Sequence, residues 1–110
     1  MTTDKMIAEK DGAVGRMIFN NPERRNAVSL EMWEAMENIV GEFNADDEIR
    51  VIVLSGAGDK AFVAGADVSR FENERASAEA IEQYAQITAS ATEALYASPK
   101  PTIAQIRGFC

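Results

Sequence analysis

The hydrophobic positions change period several times along the chain, and each change marks an element. Lys5-Met6-Ile7-Ala8-Glu9-Lys10 fits an edge strand, and Asp11-Gly12 after it is a hairpin signal. Residues 13–19 form the return strand. There Val14, Arg16 and Ile18 alternate imperfectly with Gly15, Met17 and Phe19, which predicts that much of it is buried. Residues 20–27 have no period, and Pro22 and three asparagines punctuate them as a loop. Arg24 and Arg25 there read as a solvated face. From Leu30 the spacing becomes helical: Leu30, Trp33, Met36, Ile39 or Val40, and Phe43 share one stripe. This predicts a helix over residues 30–44, with Ser29 as N-cap and Glu31 in the first turn. Trp33 belongs to the core on this reading, and Glu34, Glu37 and Glu42 lie off the stripe in solvent.

Beyond an acidic link at residues 45–48, expected to be a solvated turn, Val51-Ile52-Val53-Leu54 runs apolar without alternation. Such a run suits a strand covered on both faces. Residues 69–76 are polar, with Phe71 as a single anchor. Ser77 is a candidate N-cap for a helix over residues 78–97, whose stripe is Ile81, Tyr84, Thr88, Ala91 and Leu95. Ser98-Pro99-Lys100-Pro101 stops it. Residues 102–106 read as a further strand. Hairpin, helix, strand, short strand and loop, long helix, strand is the order of an α/β fold with a mixed sheet.

Composition narrows the function. The chain has 110 residues, 46% hydrophobic and 26% charged, which is ordinary for one small globular domain. No window is apolar enough for a membrane span, and the N-terminus lacks the apolar core of a signal peptide, so a cytoplasmic protein is expected. The net charge of −7, with no basic stripe, argues against nucleic acid as a partner. There is no histidine, which removes Ser-His-Asp and Cys-His chemistry and the common zinc sites. The single cysteine, Cys110, allows neither an intrachain disulfide nor a CxxC site, and no metal is expected. Nothing in residues 103–110 has the character of a terminal cap or a polar tail, so the sequence reads as truncated inside a larger domain.

One stretch carries candidate chemistry. Lys60-Ala61-Phe62-Val63-Ala64-Gly65-Ala66-Asp67-Val68 reads as a strand ending in a loop of nearly bare backbone. Ala64, Gly65 and Ala66 let a ligand come close to main-chain N–H groups, and Asp67 can cap or pin the loop. A tight strand-to-helix connection would need the same residues. The sharper alternative is a pre-formed backbone donor for a developing oxyanion. Gly56-Ala57-Gly58 is no nucleotide loop, because Ala61 stands where a third glycine would be needed and no GK[ST] follows.

Four blocks resemble the enoyl-CoA hydratase/isomerase (crotonase) family. They are Asn21-Pro22-Glu23-Arg24-Arg25-Asn26-Ala27-Val28, Val51-Ile52-Val53-Leu54-Ser55-Gly56, the stretch from Lys60 to Val68, and Pro99-Lys100-Pro101-Thr102-Ile103-Ala104-Gln105-Ile106-Arg107-Gly108-Phe109. They occur in the family's order and spacing across nearly the whole chain. The resemblance implies the N-terminal part of a crotonase-like spiral of ββα units, assembled in the full-length protein as a homo-trimer or hexamer. It implies an acyl-CoA substrate, no permanently bound cofactor, and coenzyme A entering as part of that substrate. By motif position the Ala66 N–H would be one oxyanion donor, and a glycine beyond Cys110 the other. Residues 64–68, namely Ala64, Gly65, Ala66, Asp67 and Val68, would cradle CoA. Arg25 and Ala27 match CoA-touching loop positions, and Lys60 a position near its phosphates.

Within that family the expected reaction is hydration of 2-enoyl-CoA, as in fatty acid β-oxidation. Its two activating glutamates would fall after residue 110, so Glu72, Glu74, Glu79, Glu82 and Glu93 are read as solvated, and Asp67 as a structural cap. Isomerase, decarboxylase, dehalogenase and thioester hydrolase activities share the same oxyanion device. A non-catalytic binding module and a plain α/β domain without an acyl-CoA role are the remaining alternatives. The 110 residues alone are expected to be inactive.

Overall fold

A computed structural model describes residues 3–66 and 77–110. Asp67, Val68, Phe71, Glu72 and Glu74 therefore lie outside the described residues. The Asp11-Gly12 signal closes a hairpin between β1 (Met6–Asp11) and β2 (Val14–Phe19), with Asp11 opposite Val14 and Gly12 at φ +60°. Glycine meets no steric penalty there. The alternation of β2 is cleaner than its sequence suggests. Gly15, Met17 and Phe19 are buried, and Val14, Arg16 and Ile18 are half-buried. Gly15 is needed for contact: a Cβ there would sit 2.8 Å from Cδ2 of Phe43, so the bare backbone lets that ring lie on the strand.

Helix α1 (Leu30–Ala45) places Met32, Ala35, Met36, Ile39, Val40 and Phe43 against this buried row. Ser29 is the N-cap in extended backbone, but its hydroxyl is buried without a hydrogen-bond partner. Its own N–H donates to Sδ of Met32 at 3.4 Å. At the other end Nζ of Lys100 donates to the carbonyls of Phe43 (2.5 Å) and Asp46 (2.6 Å). A cation at a helix C-terminus meets the negative end of the dipole and satisfies orphan carbonyls.

β3 (Val51–Gly56) runs parallel to β2, and β4 (Thr102–Ala104) parallel to β3, giving the order β1-β2-β3-β4. Each parallel step needs a crossover. The first is α1; the second contains α2 (Ala78–Tyr96), whose N-cap Ser77 accepts from the Ala80 N–H at 3.0 Å. β1, β2 and α1 make one ββα unit.

Several expectations change. Ile52 and Leu54 are buried but Val51 and Val53 only half-buried, because the core lies on one side of the sheet; α2 packs mainly on α1 and adds Ala91 to that core. Of the α2 stripe only Ala91 is buried, and Ile81 is 49% exposed. Glu37 is not merely solvated: it accepts from the Ser90 hydroxyl at 2.7 Å and joins the two helices. The acidic link is the solvated turn expected, with an ion pair added at one end. Lys10 reaches Asp46 (3.0 Å) and Glu48 (2.5 Å) across from the hairpin. β4 ends at Ala104, short of the expected residue 106. Among the described residues no helix is long and apolar enough to cross a membrane.

Candidate functional site

The site is built where two irregular segments lie side by side. The first leaves β2 and enters a 3-10 turn, Pro22–Arg24, in which Asn21 O accepts from the N–H groups of Arg24 (3.0 Å) and Asn26 (2.8 Å). Arg25 and Asn26 follow in the left-handed region, at φ +54° and +60°. Non-glycine residues seldom sit there, and asparagine tolerates it better than most. Asn26 is 1% exposed. Its Oδ1 accepts from the Asn21 N–H at 2.8 Å, and its Nδ2 donates to the carbonyls of Ala57 (3.0 Å) and Ala61 (2.8 Å).

The second segment, residues 57–66, is not the short strand the sequence suggests. Among the described residues it makes only two isolated bridges, Ala61 with Phe109 and Val28 with Ala66. A continuous ladder would need a neighbour along one edge; here the contacts come from two different sides. On one side Ala64 N–H donates to Arg25 O (3.1 Å) and Val28 N–H to Gly65 O (2.8 Å). On the other, Phe62 N–H donates to Phe109 O (2.7 Å) and Phe109 N–H to Lys60 O (3.0 Å). Gly108, at φ +75°, allows that second seam, since a Cβ there would run into the Lys60 carbonyl.

These bonds determine what the loop displays. Ala64, Gly65 and Ala66 are exposed, and Gly65 takes φ +110°. Val28 pairs with Ala66 in a parallel bridge whose bond goes to the carbonyl of Gly65. The Gly65 carbonyl and the Ala66 N–H belong to one trans peptide group and point opposite ways, so the amide of Ala66 turns away from Val28. Among the described residues no backbone carbonyl accepts from it. Residues 64–66 form the rim of a cavity of about 690 Å³, otherwise lined mainly by Phe19, Val28, Trp33, Met36, Leu54, Phe62 and Leu95. Phe19 and Phe62 meet there edge to face at 5.8 Å. Trp33 is thus both core and cavity wall, and its buried Nε1 has no partner. The arrangement can offer a backbone N–H to an oxygen beside an apolar group.

The first half of the loop faces a smaller pocket of about 310 Å³, lined by Arg25 and Lys60 together with Glu23 and Asp59. The structure therefore brings Arg25 and Lys60 together at one pocket and Ala64, Gly65 and Ala66 at the other, with Lys60 and residues 64–66 on one continuous loop and Arg25 on the segment beside it. Arg25 is exposed, with its guanidinium 5.4 Å from the centre of the Phe109 ring, a cation–π contact rather than a free loop face. Ala27 is 7% exposed, and its carbonyl accepts from Nδ2 of Asn21 at 2.9 Å, so little of it is presented to a ligand. Glu79, Glu82 and Glu93 are exposed and line neither pocket. A further concavity of about 730 Å³ lies between α1 and β1, away from this loop.

Residues 14–110 match the family model described as enoyl-CoA hydratase/isomerase. The chain belongs to that family, and its fold is the N-terminal part of the crotonase α/β fold. It is 38% identical over 72 residues to a short-chain-enoyl-CoA hydratase of Clostridium acetobutylicum, an alignment covering 66% of this chain and 28% of that one. It is 28% identical over 109 residues to a crotonyl-CoA hydratase of Syntrophomonas wolfei, covering 99% and 41%. A crystal structure of an enoyl-CoA hydratase/carnithine racemase from Magnetospirillum magneticum superposes with a TM-score of 0.90 at 36% identity, covering 97% of this chain and 40% of that one. The chain spans about two fifths or less of the length of these relatives.

Asn26 is the part of the site that sequence reasoning missed. A polar residue in a polar loop looks unremarkable. The available signal was an asparagine followed by apolar Ala27 and Val28, which suggests burial, and a buried amide must be satisfied.

Proposed function

We propose that the protein hydrates 2-enoyl-CoA to 3-hydroxyacyl-CoA, using the Ala66 N–H as one of two donors to the thioester oxygen. The supporting observation is the outward-turned Ala66 amide at the rim of an apolar cavity. When water adds at the β-carbon, electron density moves onto the thioester oxygen, and a fixed N–H stabilises that charge. One such donor is worth about 3 kcal/mol, or on the order of 10²-fold in rate. The second donor and the two glutamates that activate water belong, in this reading, to the family's portion beyond residue 110. Lys60 would lie near the phosphates of CoA, and Arg25, Ala64, Gly65, Asp67 and Val68 would touch its remaining length, while buried Ala27 would add little to that contact. No further cofactor is called for. Trimeric or hexameric assembly, a cytoplasmic location and a role in β-oxidation belong to the same proposal, and rest on family likeness.

The test is turnover of crotonyl-CoA by the longest open reading frame containing these residues, beside the 110 residues alone. Hydration by the longer chain only is the expected result. Ala66→Pro, which removes the donor N–H, should lower kcat by about 10²-fold while CoA still binds. CoA binding without hydration would redirect the assignment to isomerase, decarboxylase, dehalogenase or thioester hydrolase chemistry. Absence of CoA binding would end the acyl-CoA reading.

A further inference from the structure

We infer that Asn26 is the positioning residue that holds the Ala66 amide on target, an inference whose catalytic consequence rests on the function proposed above. Asn26 borders the smaller pocket beside Arg25 and Lys60, but it is 1% exposed and its side-chain amide is turned to the loop rather than to the opening. Both its amide donors are spent on that loop, at Ala57 and at Ala61, four residues on. Its oxygen is spent on Asn21, which ties it to the start of its own turn. Arg25 and Val28, its neighbours in that turn, then hold Ala64 and Gly65. Residues 57–65 are thus fastened at four points to a turn whose shape Asn26 locks. An oxyanion donor works only when held within about 0.5 Å of its place. Without Asn26 the loop keeps its small residues but loses the frame that aims them.

Asparagine suits the position for two reasons at once. It accepts a φ of +60°, and it offers two donors and an acceptor in one planar group. Asn26→Asp keeps the shape and the acceptor but sets an oxygen against two carbonyls. Asn26→Gly keeps the backbone freedom and removes all three bonds. Ile39→Ala, in the core on α1 and outside the loop, is the control, compared at a temperature where all variants are folded.

With crotonyl-CoA both Asn26 variants should lose kcat by about tenfold or more, since misplacement approaching 1 Å costs on the order of 10²-fold. KM should stay within about threefold, the pattern of an interaction made only in the transition state. Ile39→Ala should keep its kcat. A kcat loss no larger than the control's, or a loss confined to KM, overturns the inference. A second measurement needs no substrate. Amide hydrogen exchange at Ala64 and Val28 should quicken by about tenfold in both Asn26 variants but not in Ile39→Ala, because those N–H groups depend on the locked turn. Unchanged protection overturns the positioning role even in an active enzyme. Faster exchange in a protein that turns over no acyl-CoA would uphold the positioning and refute the proposed reaction alone.

Discussion

Adding one methyl group at two different glycines should move stability in opposite directions. Gly56 ends β3 beside the site, and a Cβ there would lie 2.5 Å from Ala61 O, 2.7 Å from Nδ2 of Asn26, and against Phe62 O. Ordinary contact begins at 3.4 Å, so the loop must retreat by most of an ångström. Two of the three obstacles are main-chain carbonyls, and one of those is bonded to Asn26, so no flexible side chain can simply swing aside. Overpacking of this kind costs about 1–3 kcal/mol. Losing one or both Asn26 bonds adds about 1 kcal/mol each. Reduced freedom of the unfolded chain returns about 0.5 kcal/mol. Gly56→Ala should therefore destabilise by about 3 kcal/mol. Gly41 lies inside α1, exposed, with nothing within 4 Å of a new Cβ. Gly41→Ala should stabilise by about 0.8 kcal/mol from helix propensity alone. Urea unfolding reads both as shifts of the midpoint at constant slope. A Gly56→Ala loss below about 1 kcal/mol would mean that the loop yields freely, and the account of a rigidly framed site would fail. A destabilised Gly41→Ala would refute the reasoning from open space.

Two smaller predictions concern the frame. Hydrogen bonding to Lys10 holds the Asp46 carboxyl below its usual value of 3.8, and bonds to Glu48 and Asp46 hold the Lys10 ammonium above 10.5. The Asp46 contribution is present above the ordinary carboxylate range and is lost as pH falls through the lowered value. That of Lys10 is present below 10.5 and is lost as pH rises through the raised one. Lys10→Met should flatten the stability profile at both extremes and weaken its salt dependence, which urea midpoints across pH and ionic strength would reveal; a profile like the wild type's would dismiss the pair. Lys100→Met should cost about 1–2 kcal/mol, because the carbonyls of Phe43 and Asp46 lose their donor at the end of α1. Circular dichroism on thermal unfolding would measure it, and an unchanged Tm would show that water replaces the ammonium.

The elements and the bare loop were legible in the residues because their causes are local. Apolar stripes at helical spacing delimit α1 and α2 to within a residue or so, and Asp11-Gly12 places the hairpin. Ala64, Gly65 and Ala66 announce accessible backbone by having almost no side chains. Those same residues serve a simple connection equally well, so they could not reveal which amide faces the cavity. That was decided by where Val28 and Arg25 place their own peptide groups, across a gap of nearly forty residues. Burial of Asn26, the packing of Arg25 on Phe109 and the packing of α2 on α1 depend likewise on distant segments meeting. Hydrophobic period records which side of an element is apolar, whereas a hydrogen bond between two loops leaves no period behind it. The sequence by itself determined that a stretch of open backbone follows β3; only the tertiary structure decided that Ala66 presents its N–H, because a peptide group's direction is set by the partners its neighbours find.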